Sequence, residues 1–328
     1  MARFLSRLAL AGTAGLLTVG LAVPPAQAVP DRTATRPADR SGPLTWTALG
    51  DSYSAGVVQA TGNEFEAPPD GCARTTGSYP ELLRHSLGSA VVLRNVTCSG
   101  ATIAGVYRSS QVPAGRPMPP LGTDPDAPFA PVPPQIDALS PQTKVITVGI
   151  GGNTLGFIDI LTSCLELGAV SLGQGTPCEA KFGAGMSGRL QQVSTEYDAM
   201  LTALHAKAPH ARIVTVGYPH LFPEDASRCH YGDLLEFGTI TTGDLAWART
   251  AVLERLNAVI QKVTGAHRDT FVDLYPSTAG HSACDRADGN NWVDGLLSSL
   301  VPLRYAYVHP NAKGQAHAAE RVKPALLS

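Results

Sequence analysis

Apolar residues recur along the chain in two rhythms. Short, nearly uninterrupted apolar runs occupy 44–49, 90–96, 144–149, 212–217 and 270–274, with glycine, proline or polar turn residues around them. Runs of this length with these flanks predict buried β-strands. Between them the stretches 188–206 and 242–264 carry apolar residues at helical spacing, with Leu253, Leu256, Val259, Ile260 and Val263 on one face. That spacing predicts helices that pack against a core. Strand and helix in alternation predict an α/β protein whose parallel sheet is covered on both faces. A ligand then binds at the carboxyl ends of the strands.

Two regions break this rhythm. The segment 112–134 is dense in proline and can be neither helix nor strand interior. It is an insertion, and it either walls or lids a substrate site or decorates the surface. At the other end, Arg3 and Arg7 precede a glycine-broken apolar stretch and then Ala26-Gln27-Ala28. A stretch this short, with a small-x-small ending, reads as a secretory signal peptide cleaved after Ala28 rather than as a membrane span. The expected organisation is a signal peptide over 1–28, a polar flexible leader over 29–43, and one folded domain over 44–328, exported and monomeric.

The formal net charge of −2, with no basic stripe or acidic tail, implies no nucleic-acid partner. Six cysteines in an exported chain imply three disulfides. Fifteen connectivities exist on paper; the consecutive pairs Cys72–Cys98, Cys164–Cys178 and Cys229–Cys284 are favoured because the cysteines fall into local pairs. No CxxC or histidine–cysteine cluster appears, so no metal or other cofactor is expected.

Candidate chemistry sits where the strands end. The first run gives way to Gly50-Asp51-Ser52-Tyr53-Ser54, placing a serine hydroxyl at the carboxyl edge of the sheet; a helix N-cap is the common alternative use. The glycine-x-serine-x-glycine elbow does not fit, because position 54 is serine. A serine nucleophile needs a base within hydrogen-bond reach and donors for an oxyanion. The second run leads into Cys98-Ser99-Gly100, where Gly100 offers either an oxyanion-holding N–H or an ordinary tight turn. The third ends in Gly151-Gly152-Asn153-Thr154, where the Asn153 amide could hold developing charge or simply occupy a left-handed turn. Of nine histidines, His309 stands out in Val308-His309-Pro310-Asn311, where a loop enters a terminal helix. His205, His210, His267 and His317 lie in surroundings typical of the surface and are set aside.

Taken in order, Gly50-Asp51-Ser52, Gly100, Gly151-Gly152-Asn153-Thr154 and His309-Pro310-Asn311 resemble the four sequence blocks of the SGNH, or GDSL, hydrolase family, and the cysteine layout is similar to its secreted actinomycete lipases and esterases. The resemblance implies a flavodoxin-like three-layer α/β/α sandwich with a parallel five-stranded sheet. It implies Ser52 as nucleophile, His309 as general base and acid, and an oxyanion hole from the N–H groups of Ser52 and Gly100 and the Asn153 amide, with no metal. The family usually carries aspartate three residues before the histidine, and here that position is Ala306. A backbone carbonyl, most simply that of Ala306, could then orient the imidazole; Asp294, Asp285 and Asp51 are the carboxylate alternatives.

The activity expected is hydrolysis of carboxylic esters, those of lipids foremost, with transient contact to a lipid interface. A phospholipase or a polysaccharide deacetylase is the enzymatic alternative, although aromatics at 6% are few for sugar platforms. A catalytically silent binding protein on the same fold is the alternative of a different class.

Overall fold

The computed structural model describes residues 42–59, 69–116 and 123–328. The predicted signal peptide and its cleavage point, all but the last two residues of the 29–43 leader and the centre of the proline-rich insertion lie outside the described residues.

The five predicted strands form one sheet: β1 (Leu44–Gly50), β2 (Val91–Asn95), β3 (Val145–Gly149), β4 (Arg212–Val216) and β5 (Thr270–Val272). Their order is β2-β1-β3-β4-β5 and each neighbouring pair is parallel. This is the flavodoxin-like order. All five residues of β3 are buried. A strand covered on both faces reads as a continuous apolar run for this reason.

The two covering layers can be read from where β1 sends its side chains. Trp46 and Ala48 join one cluster, with Tyr79 and Leu83 of helix α2 (Tyr79–Leu87) and Val322 and Leu326 of the terminal helix. Leu49 joins the other, with Tyr197, Met200, Leu204 and Ile260. Counting in chain order, α1 (Ser52–Ala55) precedes α2, and α3 (Ile103–Tyr107), α4 (Gly152–Leu155), α5 (Phe157–Val170), α6 (Pro177–Lys207), α7 (Thr242–Trp247), α8 (Glu254–Ala266) and α9 (Ala312–Leu327) follow.

Helix α6 starts well before the expected 188, at Pro177. Gly183, Gly185 and Gly188 dilute the apolar period there. The tertiary structure compensates: the buried Asp244 carboxylate accepts the N–H groups of Cys178 and Glu179 at 3.0 and 2.9 Å, which neutralises the exposed donors and positive pole of the helix start. The predicted 242–264 helix is a continuous helical path whose middle, Ala248–Leu253, widens into a π-turn between α7 and α8.

A two-stranded antiparallel hairpin, β6 (Leu297–Leu300) and β7 (Leu303–Tyr305), has no counterpart in the sequence reading. Its strands are only four and three residues long, too short to carry a periodic signal. Disulfides join Cys72 to Cys98, Cys164 to Cys178 and Cys229 to Cys284. Among the described residues no helix is long and apolar enough to cross a membrane.

The Cys72–Cys98 bond ties the turn after β2 to the segment before α2, two residues from Gly100. Replacing both cysteines by serine is expected to cost about 2–5 kcal/mol in denaturant unfolding and to lower ester turnover as well. The same exchange at Cys229 and Cys284 is expected to lower stability alone.

Candidate active site

Gly50 sits at the carboxyl end of β1 with φ +144°, where a Cβ would meet the Gly149 carbonyl oxygen and Ser54 Oγ at 2.6 Å each. Only glycine lets the chain turn sharply there. Gln135, immediately after the proline-rich segment, clamps this glycine on both sides: Oε1 accepts the Gly50 N–H at 2.8 Å and Nε2 donates to its carbonyl at 2.9 Å. The turn that follows is capped by Asp51, whose Oδ1 accepts the Tyr53 N–H at 3.0 Å. Ser52 is the first residue of α1, so its N–H has no partner within the helix.

His309 arrives from the opposite end of the chain. Its Nε2 lies 2.6 Å from Ser52 Oγ, and both residues are more than nine-tenths buried. Its Nδ1 faces the carbonyl oxygens of Ala306 and Tyr307 at 2.8 and 2.9 Å. Carbonyls can only accept, so Nδ1 carries the proton and Nε2 is the lone pair that faces the serine hydroxyl. Burial pushes this imidazole down to about 4, against the two carbonyl bonds that raise it.

Two carbonyls converge on one nitrogen because the chain before His309 is left-handed: Tyr307 has φ 49° and the buried Val308 has φ 62°. A β-branched residue in that region is strained, by ~1–3 kcal/mol. Neighbouring bonds hold it there, from Tyr53 Oη to the Val308 carbonyl at 2.6 Å and from the Val308 N–H to Gly295 at 2.7 Å. Beyond the histidine, Asn311 Oδ1 caps α9 by accepting the N–H groups of Lys313 and Gly314.

The carboxylates considered as partners for His309 are engaged elsewhere. Asp294 accepts from Asn291 and Asn311 at 3.0 Å each, bracing the His309-Pro310-Asn311 turn. Asp285 accepts from Ser282 and pairs with Arg228. Asp51 is held up at about 7 by burial and accepts from Tyr218 Oη at 2.6 Å.

The other predicted positions meet at the same place. Gly100 has φ +75°, which glycine adopts freely. The Asn153 amide donates one N–H to the Ala101 carbonyl at 2.9 Å, leaving its second for the cavity, and Thr154 Oγ1 accepts the Ile103 N–H at 2.9 Å. The third block is thereby latched to the second. Ser52, Gly100, Asn153 and His309 all line one cavity of about 660 Å³, together with apolar side chains such as Val57, Phe157, Ile158 and Leu221. Pro302 to Tyr307, from the hairpin turn through β7 into the loop before His309, form one wall, and Gly115 and Arg116 bring the start of the proline-rich insertion into another.

Sequence reasoning missed Tyr218, Tyr53, Gln135 and Gln315. Tyr218 Oη accepts the Gly152 N–H at 2.8 Å while donating to Asp51, so one phenol joins the first and third blocks. Gln315 Nε2 donates to the Tyr53 carbonyl at 2.9 Å and joins the first block to α9. No motif marks them, because their partners are distant in sequence.

Residues 48–317 match the GDSL-like Lipase/Acylhydrolase family. The chain belongs to that family. It is therefore grouped with carboxylic ester hydrolases. It is 32% identical over 320 residues, 95% of this chain and 93% of the relative, to Lipase 2 of Streptomyces coelicolor. It is also 32% identical over 314 residues, 87% of this chain and 86% of the relative, to an esterase of Streptomyces scabiei. Among solved structures it resembles an extracellular lipase from Streptomyces rimosus, with a TM-score of 0.61 and 25% identity over 86% of this chain and 99% of that one.

Tyr218→Phe keeps the ring and deletes the bridge, stranding the Gly152 N–H and the Asp51 carboxyl. A buried group left unpaired costs ~1–3 kcal/mol. In kinetics on a soluble ester, kcat is expected to fall by about tenfold to a hundredfold with KM little changed.

Proposed function

We propose that the protein is an exported lipid-ester hydrolase working through an acyl-enzyme on Ser52. The observation that carries this reading is the 2.6 Å Ser52–His309 contact at the wall of an apolar cavity. Ser52 Oγ attacks the ester carbonyl carbon as His309 Nε2 takes the hydroxyl proton. The oxyanion is held by the N–H groups of Ser52 and Gly100 and the free N–H of the Asn153 amide. Collapse breaks the bond to the alcohol, which leaves with the proton from His309. Water, deprotonated by the same nitrogen, then attacks the acyl-enzyme and releases the carboxylic acid.

In this reading the Ala306 and Tyr307 carbonyls replace the usual carboxylate. They fix the tautomer and stabilise the transient imidazolium through dipoles rather than a full charge. The apolar wall suits an acyl chain better than an acetylated sugar. Export is supported by the residue pattern of 1–28, by the disulfides, and by the resemblance to an extracellular lipase.

Ser52→Ala is expected to abolish p-nitrophenyl ester turnover and labelling by an organophosphonate, whereas Asp294→Asn and Asp285→Asn retain turnover within about tenfold. A loss near ~10⁴-fold in either aspartate variant, the scale seen when a triad carboxylate is neutralised, would overturn the carbonyl assignment.

The base must be neutral to act, and its depressed pKa keeps it so over most of the pH range. The acid limb of kcat/KM is expected near pH 4, with a plateau from about 6 upward for this group. A limb centred near 7 on an uncharged ester would contradict it. The same shift means that the unfolded chain takes this proton first, so stability contributed here is lost as pH falls from 6.5 towards 4.

A further inference from the structure

The opposite edge of the sheet carries a cluster that the proposed ester chemistry does not use. His205 lies in the last turn of α6, His267 caps the end of α8, and Asp269 immediately precedes β5. All three therefore stand at the amino-terminal edge of the strands, whereas Ser52 follows the carboxyl end of β1. Their donor atoms all lie within 4.8 Å of one another. The imidazole rings are parallel, 6° apart in plane, with centroids 6.0 Å apart.

Each imidazole already faces a carboxylate: His205 Nε2 is 3.0 Å from Asp269 Oδ2, and His267 Nε2 is 2.8 Å from Asp198 Oδ1. The clustered donors are thus two imidazole nitrogens and the Asp269 carboxylate, and the exposed Asp198 stands outside them as the hydrogen-bond partner of His267. Asp198 is seven residues before His205 in α6, two turns along the same face.

We infer that His205, His267 and Asp269, with Asp198 as the hydrogen-bond partner of His267 and water completing the shell, form a site for a first-row divalent cation of the zinc type. Imidazole nitrogens select such ions over calcium and magnesium, which want an all-oxygen shell. In a tetrahedral site with bonds of about 2.0–2.1 Å, donors stand roughly 3.3 Å apart. Binding therefore requires the two histidine rings to turn inward from the present spacing of up to 4.8 Å. Asp269 needs no such freedom, because its side chain is only 6% exposed and set by the start of β5.

The ion would join the C-terminal ends of α6 and α8 to the first residue before β5, pinning one covering layer to the edge of the sheet. This role is structural. It is independent of the ester chemistry at the other edge, so the two stand or fall separately.

The test uses the untagged protein freed of metal with a chelator. Zinc titration calorimetry is expected to show one equivalent bound with micromolar or tighter Kd, and 0.1 mM zinc is expected to raise Tm by about 5 °C. Cobalt(II) should give visible absorption bands of a four-coordinate site. His205→Ala and His267→Ala should each weaken zinc binding at least tenfold, and the double variant should remove both the Tm rise and the cobalt bands, with p-nitrophenyl ester kcat unchanged. Absence of saturable binding, equal binding of calcium, or tight binding that survives in the double variant would each overturn the site.

Discussion

The contact between Ser52 and His309 joins residues 257 apart in the chain, and much of the structure is arranged to keep it short. The serine is fixed by β1 and the Gly50 turn. The histidine belongs to a loop, ordinarily the least rigid part of a fold. Rigidity comes from the left-handed pair Tyr307 and Val308, whose carbonyl neighbours lock Nδ1, and from Tyr53, which bonds the Val308 carbonyl and packs its ring 4.6 Å from the imidazole. The residue next to the serine thus holds the loop that carries the histidine.

That arrangement gives a physical account of the missing aspartate. A carboxylate near Nδ1 would raise the basicity of the imidazole; two neutral carbonyls fix its direction while burial keeps it neutral. Asp51 is the buried carboxyl nearest the serine in sequence, and its bonds run to the turn and to Tyr218 rather than to His309. Its own upward shift reflects burial, and its bonds to Tyr53 and Tyr218 make it a brace between blocks.

The cavity is assembled from regions with little in common in sequence. The start of the proline-rich insertion, the first turn of α5 and the β6–β7 hairpin each contribute a wall. Immediately after the insertion comes Gln135, the glutamine that clamps Gly50, so the chain leaving the insertion helps set the strand end from which Ser52 departs. In this sense the segment that interrupts the α/β rhythm is part of the site.

Local chemistry was enough to read the five strands: β3, buried at all five positions, is apolar but for Thr147, which accepts from Trp46 Nε1, while the edge strands β2 and β5 keep an apolar run although they are partly exposed. Strand ends followed by glycine or a capping residue marked Ser52, Gly100, Asn153 and His309 as candidates, each with an ordinary turn or cap as its alternative, and only the four blocks taken together resembled a hydrolase. What the sequence could not carry is anything set by partners far away. Helix α6 begins at Pro177, where Asp244, sixty-six residues after Cys178, neutralises its start; the hairpin is too short to have a period; Tyr218 matters through Asp51 and Gly152. His205 and His267 look like surface residues along the chain, and only the packing of α6 and α8 against β5 brings them to Asp269. Periodicity and turn chemistry are local and so are written in order, whereas hydrogen bonds and ligand sets depend on which ends the fold brings together.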